Sequence, residues 1–140
     1  MNRKMLLSTL WVFVVLNYLY CDVVSLMDSN LLKQYLTGTV NGMVLTRSAL
    51  LAAGILMEIS IAMGLLSRLL PHTANRWANI LAGAVTTAVQ ALTLFAGPPA
   101  SYYLFFSIIE IAATASVIWL AWTWRYDLGA ITKPAQGPVL

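Results

Sequence analysis

The sequence predicts an all-α fold, an integral membrane four-helix bundle whose helices run alternately up and down. Of the 140 residues, 60% are hydrophobic and only 9% are charged, whereas soluble domains carry about 25% charged residues. The apolar residues fall into four runs, each near the ~20 residues that a helix needs to cross a bilayer. Strands are excluded, because four runs cannot close a membrane barrel.

The four predicted helices occupy residues 5–27, 48–67, 77–97 and 100–124, within a transmembrane domain of residues 1–127. The first connection contains turn-forming residues and a short amphipathic piece at residues 31–36, which we expect to lie at the membrane interface. Pro71 ends the second helix, and Asn75 is a candidate cap for the third. Gly97, Pro98 and Pro99 force a tight connection before the fourth helix.

Residues 128–140 contain two glycines and two prolines, so we expect a flexible cytoplasmic tail. The positive charges predict its side of the membrane, because cytoplasmic segments are enriched in lysine and arginine. Six basic residues fall on the side of the termini: Arg3, Lys4, Arg68, Arg76, Arg125 and Lys133. The opposite side holds Lys33 and Arg47. We therefore expect a multi-pass membrane protein with both termini in the cytoplasm.

Two carboxyl side chains, Glu58 and Glu110, lie in the middle of the second and fourth apolar runs. A carboxylate at the bilayer centre costs about 2.5–3.5 kcal/mol on insertion scales. Each lies ten residues from the expected outer end of its helix, which is about 15 Å of helical rise. We expect both to face the bundle interior at similar depth, and at least one to be protonated because close carboxylates repel.

The first and third helices each supply one amide near the same depth, Asn17 and Gln90. Glu58, Glu110, Asn17 and Gln90 together predict an interior polar site for a proton, a cation or a small ligand. The alternative is that the polar layer only joins the helices by hydrogen bonds, each contributing about 0.6 kcal/mol on average.

Helical spacing supports inward polar faces on three helices. The third helix carries a stripe of small or polar residues: Asn79, Gly83, Thr86, Gln90, Thr93 and Gly97. The fourth carries Tyr103, Ser107, Glu110, Thr114 and Ala121. On the second helix we assign the interior face to Gly54, Glu58 and Ala62.

Asp22 near the end of the first helix and Arg47 at the start of the second are predicted to form an ion pair. Removing one charge alone would leave its partner uncompensated in a medium of low dielectric constant. Arg47 also lies eleven residues before Glu58, on the same helical face, so the alternative is that it gates a path to that glutamate.

The sequence contains no phosphate-binding loop, dinucleotide glycine pattern, nucleophile elbow or metal-binding histidine pair. We therefore expect no catalytic residues, no cofactor and no metal site. The net charge of +3 is dispersed, so the expected partner is the lipid bilayer and not a nucleic acid. The lone Cys21 leaves no pair for a thiol relay.

The second helix contains an acidic residue, a Gly-Leu pair and a basic end, at Glu58, Gly64, Leu65 and Arg68. With the first-helix run from Leu10 to Asp28, this pattern resembles the DoxX-like superfamily of small bacterial four-helix membrane proteins, in an uncharacterised branch. The resemblance implies a four-helix bundle, and it carries over one site residue, Glu58. Some members are accessory subunits of quinone-linked or thiol redox systems.

Three functions follow as hypotheses. The first is a bundle that binds a proton, a cation or a small lipophilic ligand at the intramembrane polar site. The second is a non-catalytic accessory subunit of a larger, quinone-linked membrane complex, as the resemblance implies. The third is a purely structural helix bundle.

Overall fold

The computed structural model describes residues 2–125, so the predicted tail at residues 128–140 lies outside the described residues. Four helices are long and apolar enough to cross a membrane: α1 (Arg3–Met27), α3 (Arg47–Leu69), α4 (His72–Leu94) and α5 (Ser101–Trp122). A short helix, α2 (Ser29–Thr37), and two strands, β1 (Thr39–Val40) and β2 (Met43–Val44), lie between α1 and α3. The prediction of four long helices is confirmed.

The helix bounds differ most from the prediction at the start of α4. The helix begins at His72, five residues earlier than expected, because Pro71 takes the extended conformation of the N-cap. Proline suits a helix start, where its missing N–H would have no partner. Asn75 is therefore a buried residue of the first turn, and its assignment as the cap was wrong.

Hydrogen bonds between the helices establish the up-and-down arrangement. Near the start of α1, the Arg3 guanidinium donates to the Leu120 carbonyl at 2.7 Å. Five residues on, the Ser8 hydroxyl donates to the Gly64 carbonyl at 2.5 Å. The start of α1 thus lies beside the ends of both α3 and α5. The α1 helix packs between these two, and α4 packs closely on α5 and less closely on α3.

Two ends of the bundle can now be named. The amino-terminal end contains the start of α1 and the connection between α3 and α4. The hairpin end contains α2, the β1–β2 hairpin and the connection between α4 and α5. Asn41 of the hairpin lies close to Gly97 of that connection, since a Cβ built on Gly97 would be 3.8 Å from the Asn41 side chain.

A network of fully buried polar side chains fastens the amino-terminal half. It consists of Trp11, Ser67, Asn75 and Asn79, and we call it the asparagine network. The Asn79 amide oxygen accepts from Trp11 Nε1 at 2.7 Å and from the Ser67 hydroxyl at 3.2 Å. Asn75 Nδ2 donates to the Ser67 carbonyl at 2.6 Å. These bonds join α1, α3 and α4 where the surrounding bilayer offers polar groups no water.

The other half of α3 is packed very differently. From Arg47 to Ile59 every residue is exposed except Leu56, which is half-buried. The interhelical hydrogen bonds of α3 all lie between Gly64 and Leu70. The hairpin half of α3 therefore presents nearly its whole circumference to the surroundings of the bundle.

The segment from α2 to β2 folds by local rules. Asp28 caps α2, because its Oδ1 accepts from the backbone N–H groups of Asn30 and Leu31, a standard N-cap arrangement. Gly38 ends the helix in the left-handed conformation. Asn41 and Gly42 then form a two-residue turn with φ values of 48° and 79°, as Asn-Gly hairpins favour. The amphipathic helix was predicted, but the two strands were not.

One hydrogen bond ties this segment to α5, from the Tyr102 hydroxyl to Asp28 Oδ2 at 3.2 Å. Tyr102→Phe should increase amide hydrogen exchange in residues 29–46 by about tenfold or more, because a hydrogen bond to a charged group contributes about 1.5–3 kcal/mol. Tyr35→Phe is the matched control, since Tyr35 makes no hydrogen bond within the described residues. Equal exchange in the two variants in lipid nanodiscs would show that this bond does not hold the segment.

Candidate ligand-binding site

Glu110 is the most unusual polar residue of the bundle. It lies in the middle of α5, is only 1% exposed, and neither carboxyl oxygen has a hydrogen-bond partner among the described residues. Buried side-chain polar atoms are paired in the large majority of cases, and a buried carboxyl group without a partner is expensive. The prediction that Glu110 points into the bundle is confirmed.

The carboxyl group lines a cavity of about 180 Å³, which we call the Glu110 cavity. Helices α1, α3, α4 and α5 all contribute to its wall. On α3 the lining residues are Leu56, Met57 and Ser60, so the cavity lies beside the poorly covered half of that helix. The Ser60 hydroxyl is buried and, like Glu110, has no hydrogen-bond partner among the residues described.

The α4 wall contains Gln90, as predicted. Its Nε2 donates to the buried Ser107 hydroxyl of α5 at 2.7 Å. One turn nearer the hairpin end, the Tyr103 hydroxyl donates to Thr93 at 2.7 Å. These two bonds hold α4 against α5 and set one side of the cavity, so Gln90 acts as a strut as well as a lining residue.

A second cavity, of about 370 Å³, lies at the hairpin end, and we call it the vestibule. Its wall includes Asp28, Gln34 and Tyr35 from the α1–α2 region, together with residues of the α4–α5 connection. Partial burial raises the pKa of the Tyr35 phenol, and the charge of Asp22 adds to the effect. The phenol is therefore neutral at physiological pH.

The matching family model is that of a family of unknown function, DUF6326, and it covers residues 1–130. The chain belongs to the DUF6326 family. No curated protein and no solved structure matches the chain. The part matched by the family model contains all four long helices and every residue that lines the Glu110 cavity.

Glu58 does not share this site. It is exposed on the outer surface of α3 and makes no hydrogen bond or ion pair within the described part of the chain. The residues of α3 that are buried are Ser60, Met63 and Ser67, so the helix is rotated away from the predicted Gly54–Glu58–Ala62 face. The prediction of two inward-facing glutamates is wrong, and their mutual repulsion does not arise.

Asn17 is also placed differently from the prediction. It is half-buried on α1, and its Nδ2 donates to the Phe13 carbonyl of its own helix at 2.9 Å. The next residue, Tyr18, lines the Glu110 cavity instead. Asn17 thus satisfies its amide locally, and no interhelical bond of the predicted polar layer involves it.

The ion pair between Asp22 and Arg47 is absent from residues 2–125. Arg47 is exposed at the first turn of α3, in the half of the helix that is almost entirely exposed. Asp22 instead lines both the Glu110 cavity and the vestibule. The prediction placed both residues at the hairpin end correctly but was wrong about their contact.

Three hydroxyl or thiol side chains that line the Glu110 cavity were not predicted as site residues: Tyr18, Cys21 and Ser60. A signal for Ser60 was present, because Ser60, Gly64 and Ser67 follow the i, i+4, i+7 spacing of one helical face. Tyr18, Cys21 and Asp22 likewise share a face of α1, at i, i+3 and i+4. Tyr18, Cys21 and Ser60 themselves do not stand out by charge from the apolar residues around them.

Proposed function

We propose that this protein binds a small lipophilic molecule within the membrane, in the Glu110 cavity. The observation that carries the proposal is the pairing of a fully buried carboxyl group, without a hydrogen-bond partner in the described chain, with a cavity on which it borders. A ligand that donates a hydrogen bond would satisfy this group. Ligand sites commonly combine apolar walls with a few placed polar groups.

The size of the cavity indicates the size of the ligand. A volume of about 180 Å³ is slightly larger than the engineered cavity of about 150 Å³ that accommodates benzene in another protein. Leu56, Met57 and Val89 supply apolar walls. A single six-membered ring with one polar substituent fits both the volume and the chemistry.

The test uses benzyl alcohol as the probe and the Cys21 thiol as the reporter. Cys21 is the single cysteine of the chain and lines the cavity, so a bound ring should slow its conversion to a mixed disulfide by a small methanethiosulfonate, which releases methanesulfinate. We expect protection in the intact protein and about tenfold weaker protection in Glu110→Leu, because a buried hydrogen bond is lost.

Glu58→Leu is the matched control, since it removes a carboxyl group from the exposed surface of α3. Protection should be the same in this variant as in the intact protein. Equal protection in Glu110→Leu would show that the Glu110 carboxyl group does not bind the probe. A lack of protection up to the solubility of the probe would overturn ligand binding and favour a purely structural bundle.

The distribution of basic residues indicates which side of the membrane each end of the bundle faces. We propose a bacterial inner (plasma) membrane with both termini cytoplasmic, because five basic residues of the described chain lie toward the amino-terminal end: Arg3, Lys4, Arg68, Arg76 and Arg125. Only Lys33 and Arg47 lie toward the hairpin end. The vestibule would then face the outside of the cell. Labelling of single cysteines at Lys33 and Pro98 from opposite sides of the membrane would contradict this arrangement.

A second candidate function is that of a non-catalytic subunit of a larger membrane complex, as the DoxX-like resemblance implies for quinone-linked redox systems. The observation that favours it is Glu58, a carboxyl group at membrane depth on an exposed helix face. Covering this group with a partner helix would offset a cost of about 2.5–3.5 kcal/mol. After gentle extraction, comigration with a cofactor-bearing complex that is lost in Glu58→Leu but kept in Glu110→Leu would support this function.

A further inference from the structure

The two cavities of the bundle adjoin one another. Asp22, Thr93 and Tyr103 line both the Glu110 cavity and the vestibule. The vestibule lies beneath the α2–β2 segment at the hairpin end, and Glu110 lies about two and a half turns deeper along α5, nine residues from Ser101. The lining residues therefore mark a route from the hairpin end to the buried carboxyl group.

Apart from tyrosine and cysteine, every ionisable side chain that lines this route in the described chain is a carboxylic acid. Glu110, Asp22 and Asp28 line the two cavities, whereas no lysine, arginine or histidine among residues 2–125 lines either one. Asp28 is engaged with the start of α2 and with Tyr102. Asp22 has no hydrogen bond or ion pair to the rest of the described chain. Lys33 and Arg47, the basic residues toward the hairpin end, are exposed outside the cavities.

Aromatic rings accompany the carboxyl groups. Tyr18 lines the Glu110 cavity, Tyr103 lines both cavities, and Tyr35 and Tyr102 line the vestibule. The face of a tyrosine ring attracts a cation, by about 0.5–1 kcal/mol at exposed sites and more where the cation is desolvated. Carboxylates and aromatic faces together favour positive charge at every level of the route.

We propose that the ligand of the Glu110 cavity is an organic cation, a protonated amine on a body of about one ring, which enters from the hairpin end. This proposal rests on the proposed binding function and names its ligand class. An ammonium group has three N–H donors. Three buried oxygens without partners among the described residues line the cavity, the two of Glu110 and that of Ser60. Asp22 at the junction of the cavities supplies a second carboxyl group.

A bare metal ion fits the arrangement less well. No group of three or more histidine, cysteine, aspartate or glutamate side chains in the described chain is placed to hold one. The cavity is also much larger than an ion, and part of its wall is apolar, with Leu56, Met57 and Val89. An anionic ligand would meet two carboxyl groups and no compensating base.

The test compares three probes that share one ring and differ in charge: benzylamine, benzyl alcohol and benzoate. Their binding to the full chain in lipid nanodiscs is followed by protection of Cys21 at neutral pH. We expect benzylamine to protect at a concentration at least tenfold lower than benzyl alcohol, and benzoate to give no protection. Asp22→Asn and Glu110→Gln should each reduce the preference for the amine about tenfold, and Glu58→Gln should leave it unchanged.

The outcomes separate this inference from the proposed function. If benzyl alcohol binds as tightly as benzylamine, the organic-cation assignment is overturned while ligand binding stands. If no probe protects Cys21, both fail. If sodium displaces benzylamine but N-methylglucamine at equal ionic strength does not, the site takes an inorganic cation and the amine assignment is wrong. Asp22→Asn provides the charge test even if Glu110→Gln disturbs folding, because Asp22 is exposed.

Discussion

Replacing Asn79 by alanine is expected to destabilise the bundle by about 1–3 kcal/mol, the range for leaving buried polar groups without partners. The substitution removes the acceptor of Trp11 Nε1 and of the Ser67 hydroxyl, which are both fully buried. It also removes the donor to the Asn75 side chain. The asparagine network would lose the residue that joins α1, α3 and α4 at once.

The control for this prediction is Asn17→Ala. Asn17 is also a membrane-depth asparagine, but its amide donates to its own helix and it is only half-buried. Its removal should change the free energy of unfolding by less than 1 kcal/mol, in line with the average of about 0.6 kcal/mol for hydrogen bonds in membranes. The comparison is made by unfolding in mixed micelles. Equal effects would mean that the asparagine network contributes no more than an ordinary polar contact.

The sequence predicted the inward faces of α4 and α5 because each of these helices carries a single polar stripe. On α5, Ser107, Glu110 and Thr114 are buried, as their spacing indicated. On α4, Asn79, Gly83 and Thr86 are buried and Gln90 reaches the Glu110 cavity. One stripe of small and polar residues leaves only one face that can be turned inward.

The sequence did not predict the rotation of α3, because that helix carries two competing faces. Gly54, Glu58 and Ala62 form one, and Ser60, Gly64 and Ser67 form the other, about 200° around the helix axis. Contacts from other helices decide between them: Ser8 reaches the Gly64 carbonyl, and Asn75 reaches the Ser67 carbonyl. Such long-range contacts are invisible in the local pattern of a single helix.

The same reasoning explains the error at Asp22 and Arg47. Both residues lie toward the hairpin end, so their depths agreed, and opposite charges in a bilayer favour pairing. The exposure of the first half of α3 could not be predicted from its composition, because the first half is as apolar as the second half. Asp22 lines the two cavities instead.

Gly83→Ala should have the second large effect, a destabilisation of about 1–3 kcal/mol from overpacking. A Cβ at this position would lie 2.8 Å from Ile118 Cγ1 and 3.5 Å from the Thr114 carbonyl oxygen. The first distance is too short for two carbon atoms, so α4 and α5 must separate or Ile118 must move. The close packing of α4 on α5 therefore depends on the absence of a side chain at Gly83.

Two further substitutions identify the clash. Ile118→Ala removes the carbon that the new methyl group would meet, whereas Ile118→Val retains a methyl group there. In the Gly83→Ala background, Ile118→Ala should therefore recover stability relative to the sum of the single effects, and Ile118→Val should recover little.

Gly54→Ala is the matched control, because a Cβ on Gly54 meets nothing within 4 Å. Since alanine favours a helix over glycine by about 1 kcal/mol, Gly54→Ala should be neutral or stabilising. A Gly83→Ala variant as stable as Gly54→Ala in mixed-micelle unfolding would mean that α4 and α5 do not pack this closely.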